Sequence, residues 1–519
     1  MHLTIRWRWR GLLVTATLLI LAACRPRSQP TGDQLARTYC ATCHLFPDPK
    51  LLDRKTWETG VLPQMAKRLG VRTRSFGDAL AHPYMIILPS KLSEADWQKI
   101  VAYYRDSAPL ALPEQTLPAE PARDPTFFAT GPFSANIKSS GIITLLVADT
   151  LHRRIFVGEA GTNTLSIFDW KRRLLSVVKL GSPATGLIVE LSKIYVLESG
   201  ILDPNDEPRG TLEEFDFSNP DSLRSGRVVI DSLIRPVAVA AIDANGDNVS
   251  ELLIGEFGND RGRLALYRMS GDRYARQVLD DSPGAIHFEI RDLTGDGAPD
   301  IVVLFAQADE RIMLFENDGK GNFSGRKRVL ARFPPVYGSM YFTMHDMNGD
   351  GQPDIIYVNG DNFDYSRVLK PYHGVHILEN NGRNEFHERY FFPVYGAARA
   401  EVADFDGDGD LDMFVTSNFG DAARHAERGI IYLENTGAYQ FRPYSFSIAA
   451  GNEWNLTAHA DLGGTGRPDV IVGAMNLSSV AQAQRGYTGR ALPGAPTVPI
   501  LLFQNRMLRP ETPLQRKGP

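Results

Sequence analysis

Apolar positions along the chain keep two different rhythms. Before Ala108 they recur three and four residues apart: Trp97, Ile100, Val101 and Tyr104 make one stripe, and Trp57, Val61 and Met65 another, so short helices are expected. Ser93-Glu94-Ala95-Asp96 opens the later stripe like a capping box, with Leu92 and Trp97 placed as a hydrophobic staple. Asp33 to Thr42 reads as a further short helix, and Gly60 and Pro63 should kink the Trp57 stripe. After Pro125 the rhythm changes. Runs such as Ile301-Val302-Val303-Leu304, Ile355-Ile356-Tyr357-Val358 and Val470-Ile471-Val472, bounded by turn residues, predict strands.

Each of these runs follows an acidic loop. The clearest loops begin Asp243-Ala-Asn245-Gly-Asp247, Asp292-Leu-Thr294-Gly-Asp296, Asp346-Met-Asn348-Gly-Asp350 and Asp404-Phe-Asp406-Gly-Asp408, with Glu251, Asp300, Asp354 or Asp412 four residues on. A worn fifth copy is Asp461-Leu-Gly463-Gly-Thr465 with Asp469. The loops recur at intervals of roughly 50–60 residues, the period of a propeller blade. Two upstream units, Ile142 to Asp169 and Leu187 to Phe217, keep the strand rhythm without the acids. Together they predict an all-β propeller of seven blades, with six or eight left open.

An Asp-x-Asn/Asp-x-Asp start also suits an EF-hand, but that loop needs a Glu at its twelfth position, and here Ile254, Val303, Tyr357 and Val415 stand there. The loops instead resemble FG-GAP or VCBS repeats of integrin-α-like propellers, in which the loop joins the first two strands of a blade and binds calcium. The resemblance implies calcium ligands at Asp243, Asn245, Asp247 and Glu251; Asp292, Thr294, Asp296 and Asp300; Asp346, Asn348, Asp350 and Asp354; and Asp404, Asp406, Asp408 and Asp412. The Asp404 loop is the best equipped, whereas Thr294 weakens the Asp292 loop, and Gly463, Thr465 and Arg467 speak against metal at the fifth. Gly297, Gly351, Gly409 and, in the first loop, Asn248 are placed for a tight turn.

The chemistry of the N-terminal part lies in its cysteines. There are three in 519 residues: Cys24, Cys40 and Cys43. Arg6, Arg8 and Arg10 precede an apolar run from Gly11 to Ala23, which reads as a signal peptide, too short to span a bilayer. Its end, Leu21-Ala22-Ala23-Cys24, resembles a bacterial lipobox, which implies cleavage and lipid attachment at Cys24. Cys40-Ala41-Thr42-Cys43-His44 is the C-x-x-C-H attachment sequence of c-type haem: two thiols for covalent attachment and His44 as proximal iron ligand. A thioredoxin-like pair would need a preceding βαβ pattern, and a zinc site would need further ligands nearby. A methionine is the expected distal ligand, with Met65 favoured over Met85. The Trp97 helix resembles the C-terminal helix of class I cytochromes c.

The expected organisation is therefore a signal peptide (1–23), a tether (24–31), an all-α cytochrome c domain (32–108), a Pro-rich linker (109–130), the propeller (131–508) and a tail (509–519). Val336-Tyr337-Gly338, Val394-Tyr395-Gly396 and the segment from Asn359 to Gly374 resemble a bacterial family of VCBS propeller lipoproteins fused to a class I cytochrome c domain. That segment carries Asp361, Asn362, Asp364, Tyr365, Lys370, Tyr372 and His373, a set able to bind a polar ligand or a partner, or to cap its own blade. His345 reads as a structural residue.

Charge changes the picture only by exclusion. Lys+Arg 56 against Asp+Glu 61, net -5, offers no basic face for nucleic acid. The expected function is electron transfer with a redox partner protein, at a lipid-anchored site that Arg25 after the anchor places on the outer membrane, facing periplasm or exterior. An oxidoreductase with its substrate site on the propeller is the alternative, and a binding or adhesion module the third. No nucleotide-binding fingerprint is present.

Overall fold

The apolar runs that follow the acidic loops become strands buried on both faces. In a computed structural model of the chain, Glu251–Glu256, Asp300–Phe305, Asp354–Asn359, Asp412–Ser417 and Asp469–Ala474 are buried throughout. Each lies inside a sheet stacked between two neighbouring sheets, so it has no solvent side and its sequence need not alternate. Peripheral strands such as Arg273–Asp280 expose part of their length. The structure describes residues 29–71, 92–134, 139–224, 226–361, 368–421, 423–476 and 498–507. The leader, Cys24, Met85, Asn362, Asp364 and Tyr365 lie outside them.

Seven antiparallel sheets form the blades, and the first strands of successive blades contact one another in a closed ring. The expected seven-bladed propeller is thus present. Blades 1 and 2 begin at Ile143–Asp149 and Ala184–Val189, without acidic loops. Blades 3 to 7 begin at Pro236–Ile242, Ala285–Arg291, Ser339–His345, Ala397–Ala403 and Trp454–Ala460. In each of these five the acidic loop joins the first strand to the second. Blade 7 is completed from the other end of the chain: Phe128–Pro132 pairs antiparallel with Ile500–Asn505, Phe128 opposite Asn505 and Pro132 opposite Leu501.

The propeller therefore starts before residue 131, and the Pro-rich segment is not a free spacer. Ala122–Arg123 adds a parallel strand to Phe441–Ser445 of blade 6. Upstream, the Gln115 backbone N–H donates to the Tyr395 hydroxyl, and its side-chain amide donates to the His373 carbonyl at 2.7 Å. Proline excludes helix here but leaves backbone free to lie along a sheet edge.

Among the described residues before the linker, the longest helices are α1 (Gly32–Tyr39), α2 (Leu62–Arg68) and α3 (Glu94–Ser107). Thr31 and Gln34 make a capping box on α1, and Ser93 caps α3 by accepting from the Asp96 N–H. The kink expected at Gly60 and Pro63 takes the form of a π-helical turn, Trp57–Val61, leading into α2. Pro63 has no N–H for the carbonyl of Thr59, so a regular ladder cannot run through. A Cβ on Gly32 would come within 2.2 Å of the Lys99 carbonyl oxygen, so glycine permits the close approach of α1 to α3. Leu35, Trp57, Leu62, Trp97, Ile100 and Tyr104 fill the helical core, and Val336 of the propeller joins it. No helix among the described residues is long and apolar enough to cross a membrane.

Candidate functional site

A cavity of about 260 Å³ lies where the helices meet blades 3 to 5, and Cys40, Cys43, His44 and Met65 all line it. α1 delivers Cys40 at its C-terminus, and α2 delivers Met65. Trp57 and Tyr104 stiffen the floor: the indole N–H donates to the Pro49 carbonyl and the phenol to the Pro47 carbonyl, each at 2.8 Å. Burial pushes the Cys40 thiol up to about 11, so it is protonated; Cys43 is exposed.

The buried His44 ring sits with Nδ1 2.8 Å from the Leu45 carbonyl. A carbonyl only accepts, so Nδ1 carries the proton and Nε2 keeps its lone pair. Burial also lowers the ring's pKa, against the opposing hydrogen bond, which favours the neutral imidazole a metal requires.

The propeller supplies the other wall through Asp260, Gln307, Glu310, Ser339 and Asp361. These residues lie on second-to-third-strand loops or, for Ser339, at the start of a first strand, whereas the acidic loops join the far ends of first strands to second strands. Antiparallel hairpins alternate ends, so the acidic loops occupy the opposite face of the ring. Sequence patterning gave no sign of Glu310, one of several polar residues in Gln307-Ala308-Asp309-Glu310-Arg311, or of Ser339. At the rim, Arg68 pairs with Asp260 at 2.8 Å.

The described residues of the polar segment singled out in the sequence pack into this junction. Lys370 and His373 are fully buried; Lys370 Nζ donates to the Val336 carbonyl at 2.7 Å, and the Tyr372 hydroxyl to the Leu51 carbonyl at 2.8 Å. Asp361 faces the cavity. What Tyr372 touches is therefore the chain's own helical part. His345 is likewise engaged, with Nε2 3.0 Å from the Thr343 hydroxyl, and burial with the Arg291 charge lowers its pKa to about 4.

In the acidic loops the first residue organises the turn. Asp243, Asp292 and Asp346 each accept backbone N–H groups from the three residues that follow at positions four to six. Gly297, Gly351, Gly409 and Asn248 have positive φ of 88°, 84°, 103° and 63°, as the turn requires. The ninth residue has a further role that the sequence reading did not include. Asp300, Asp354, Asp412 and Asp469 accept the backbone N–H of Asn317, Asn380, Asn435 and Asn505 at the end of the third strand. Asn317 and Asn505 then donate to carbonyls of the preceding blade, Ala244 and Phe405. The recurrent Glu-Asn-x-Gly at 316–319, 379–382 and 434–437 is the sequence signal that could have revealed this lock.

Among the described residues, one group of three such side chains could hold a metal: Asp404, Asp406 and Asp412, whose ligand oxygens lie within 4.8 Å of one another. Burial, with the Asp406 charge adding, raises Asp412 to about 7, and burial also raises Asp406. The first loop is differently arranged, since Glu251 pairs with Arg268 at 3.3 Å. Arg467 of the fifth loop lies 3.9 Å from Asp404, so the residue that disfavours metal in its own loop neighbours the best acidic loop.

A family model for the FG-GAP-like repeat matches residues 292–357, which span the second and third acidic loops. The chain thus carries a seven-bladed β-propeller that contains an FG-GAP-like repeat at residues 292–357. No curated protein matches it in sequence. Similar solved structures include the N-terminal domain of Nup159, 10% identical over 76% of this chain and 98% of that one with a TM-score of 0.44. The BP39L lectin of Burkholderia pseudomallei is 12% identical over 65% and 94%, with a TM-score of 0.45. A lectin of Agrocybe aegerita is 15% identical over 58% and 79%, with a TM-score of 0.35. These likenesses are too distant to bear on function.

Proposed function

We propose that the chain is an exported, membrane-anchored c-type cytochrome whose propeller is bound to its haem unit, and that it exchanges electrons with a partner protein. The observation that carries this reading is the meeting of Cys40, Cys43, His44 and Met65 in one apolar-walled cavity. The donor set fits a haem: two thiols for the thioether links, a neutral imidazole whose Nε2 keeps its lone pair, and a thioether in the same cavity. At about 260 Å³ the cavity is below the range of roughly 300–1,000 Å³ usual for small-molecule sites, so the walls must part somewhat around a porphyrin. The haem would supply reversible one-electron chemistry. Around it, Leu45 fixes the His44 tautomer, Trp57 and Tyr104 hold the floor, and the propeller excludes water. Cys24 would carry the lipid, and Arg25 after it would direct the protein to the outer membrane.

The test is the optical spectrum of the full chain, produced in a host with haem-maturation enzymes. Covalent haem is expected in the wild type and its loss in Cys40→Ser/Cys43→Ser. Met65→Ala should keep the haem but change its ferric spectrum; an unchanged spectrum would move the distal ligand to Met85. If the wild type holds no haem, the cytochrome reading fails and a propeller serving as a binding module takes its place.

The same reading includes calcium at the Asp404 loop, where Asp404, Asp406 and Asp412 supply hard oxygens and a dication would relieve the mutual repulsion that helps raise Asp412. This calcium would be structural, on the face away from the cavity. Calcium should raise the melting temperature of the wild type and leave Asp406→Ala unaffected; an equal response in both would remove the site.

A further inference from the structure

The cavity has two unlike walls. The helical side is mostly apolar apart from its thiols, its imidazole, Gln64 and Arg68, while the propeller side brings three carboxyl groups, Asp260, Asp361 and the deeply buried Glu310, into the space that His44 and Met65 also line. Glu310 is 3% exposed and firmly held. It accepts the Ser339 N–H at 2.7 Å, the Ser339 hydroxyl at 2.6 Å and the Gly338 N–H at 3.1 Å. Since the Ser339 hydroxyl donates to Glu310, the Tyr357 phenol 2.6 Å away must donate to Ser339. The carboxyl thus has a fixed position and a ready set of donors for its ionised form.

We propose that Glu310, although it belongs to the propeller, sets the reduction potential of the haem held in the cavity. This inference rests on the cytochrome reading above. A negative charge in a low-dielectric cavity stabilises the more positive, oxidised iron and so lowers the potential. It also gives the propeller a part in the redox chemistry beyond docking.

Burial raises the Glu310 carboxyl to about 7, even though Ser339, Gly338 and the Lys370 charge pull it down. Lys370 is lowered to about 7 by its own burial, with Glu310 and Asp361 opposing. The phenols of Tyr337, Tyr357 and Tyr372 beside Glu310 are all raised by burial and hence neutral, and the remaining charged pair of the cavity, Arg68 with Asp260, sits at the rim. Asp361 lies beyond, on the Lys370 side. At pH 9, therefore, Glu310 is charged and Lys370 neutral; at pH 5 Glu310 is neutral and Lys370 charged.

The experiment is potentiometric titration of the haem-loaded full chain, wild type against Glu310→Gln, at pH 5 and pH 9. The variant's potential should lie above the wild type's at pH 9, and the two should converge at pH 5, where both carry an uncharged side chain at residue 310. Ser339→Ala, which keeps the carboxyl but removes a donor to it, should carry the convergence to higher pH and serves if the glutamine variant folds poorly. Equal potentials at pH 9, or a difference that is the same at both pH values, overturn the inference while leaving the cytochrome reading intact. A wild type without haem overturns both.

Discussion

Glu401 shows how one residue joins two blades and makes stability depend on pH. It lies on the first strand of blade 6 and accepts the Thr457 hydroxyl at 2.6 Å and His459 Nδ1–H at 2.7 Å, both from blade 7. Burial alone would raise its pKa, but the His459 hydrogen bond and the Arg399 charge outweigh it and hold it down to about 2. The same hydrogen bond raises His459. Glu401 therefore favours the folded state above the ordinary carboxyl pKa of about 4.3, and that contribution disappears as pH falls towards 2. His459 contributes fully below about 6.5 and loses its share as pH rises through its elevated value. Denaturant unfolding should find Glu401→Gln most destabilised near pH 5.5, with the deficit narrowing at pH 3 and at pH 9. A deficit independent of pH would mean that shape, not charge, matters here.

At the level of elements, the strand Phe128–Pro132 has the largest consequence for its size. Without it, Ile500–Asn505 becomes an exposed edge at the seam of the ring. A chain starting at residue 109 should melt clearly above one starting at residue 135, and the shorter one should aggregate more; equal melting would show that blade 7 closes with three strands. This element also marks the limit of what could be read beforehand. The acidic loops and the apolar runs beside them identify five blades because turn chemistry and two-sided burial both leave local patterns. Blades 1 and 2 were legible from strand rhythm alone. Phe128-Ala129-Thr130-Gly131-Pro132 carries no such pattern: its Gly and Pro suit an edge, and its partner is at the far end of the chain. Likewise C-x-x-C-H and Met65 were legible as local motifs, whereas Glu310 enters the cavity only because the fold brings a blade-4 loop to the helices.

Across the whole molecule, helices and propeller are joined by buried contacts as well as a tether. Val336 enters the helical core, and Tyr372 donates to the Leu51 carbonyl. The half-exposed Arg68–Asp260 pair adds little by comparison. Calorimetry should show the two parts unfolding together. Tyr372→Phe, which removes one buried hydrogen bond, should cost about 0.5–1.5 kcal/mol and begin to separate a helical transition from that of the propeller. Two separate transitions already in the wild type would mean that the junction is too weak to couple them.

The seam in blade 7 also orders events in time. A chain emerging N-terminus first presents Phe128 early, but its partner Asn505 arrives only when nearly everything else has emerged. The helices close through contacts local in sequence and can form at once, while the ring must wait for its last strand, the slow kind of long-range pairing. During that interval the cavity that Cys40 and Cys43 line lacks its propeller wall, so an enzyme acting there has more room than in the finished molecule, where Cys40 is buried and Cys43 alone is exposed.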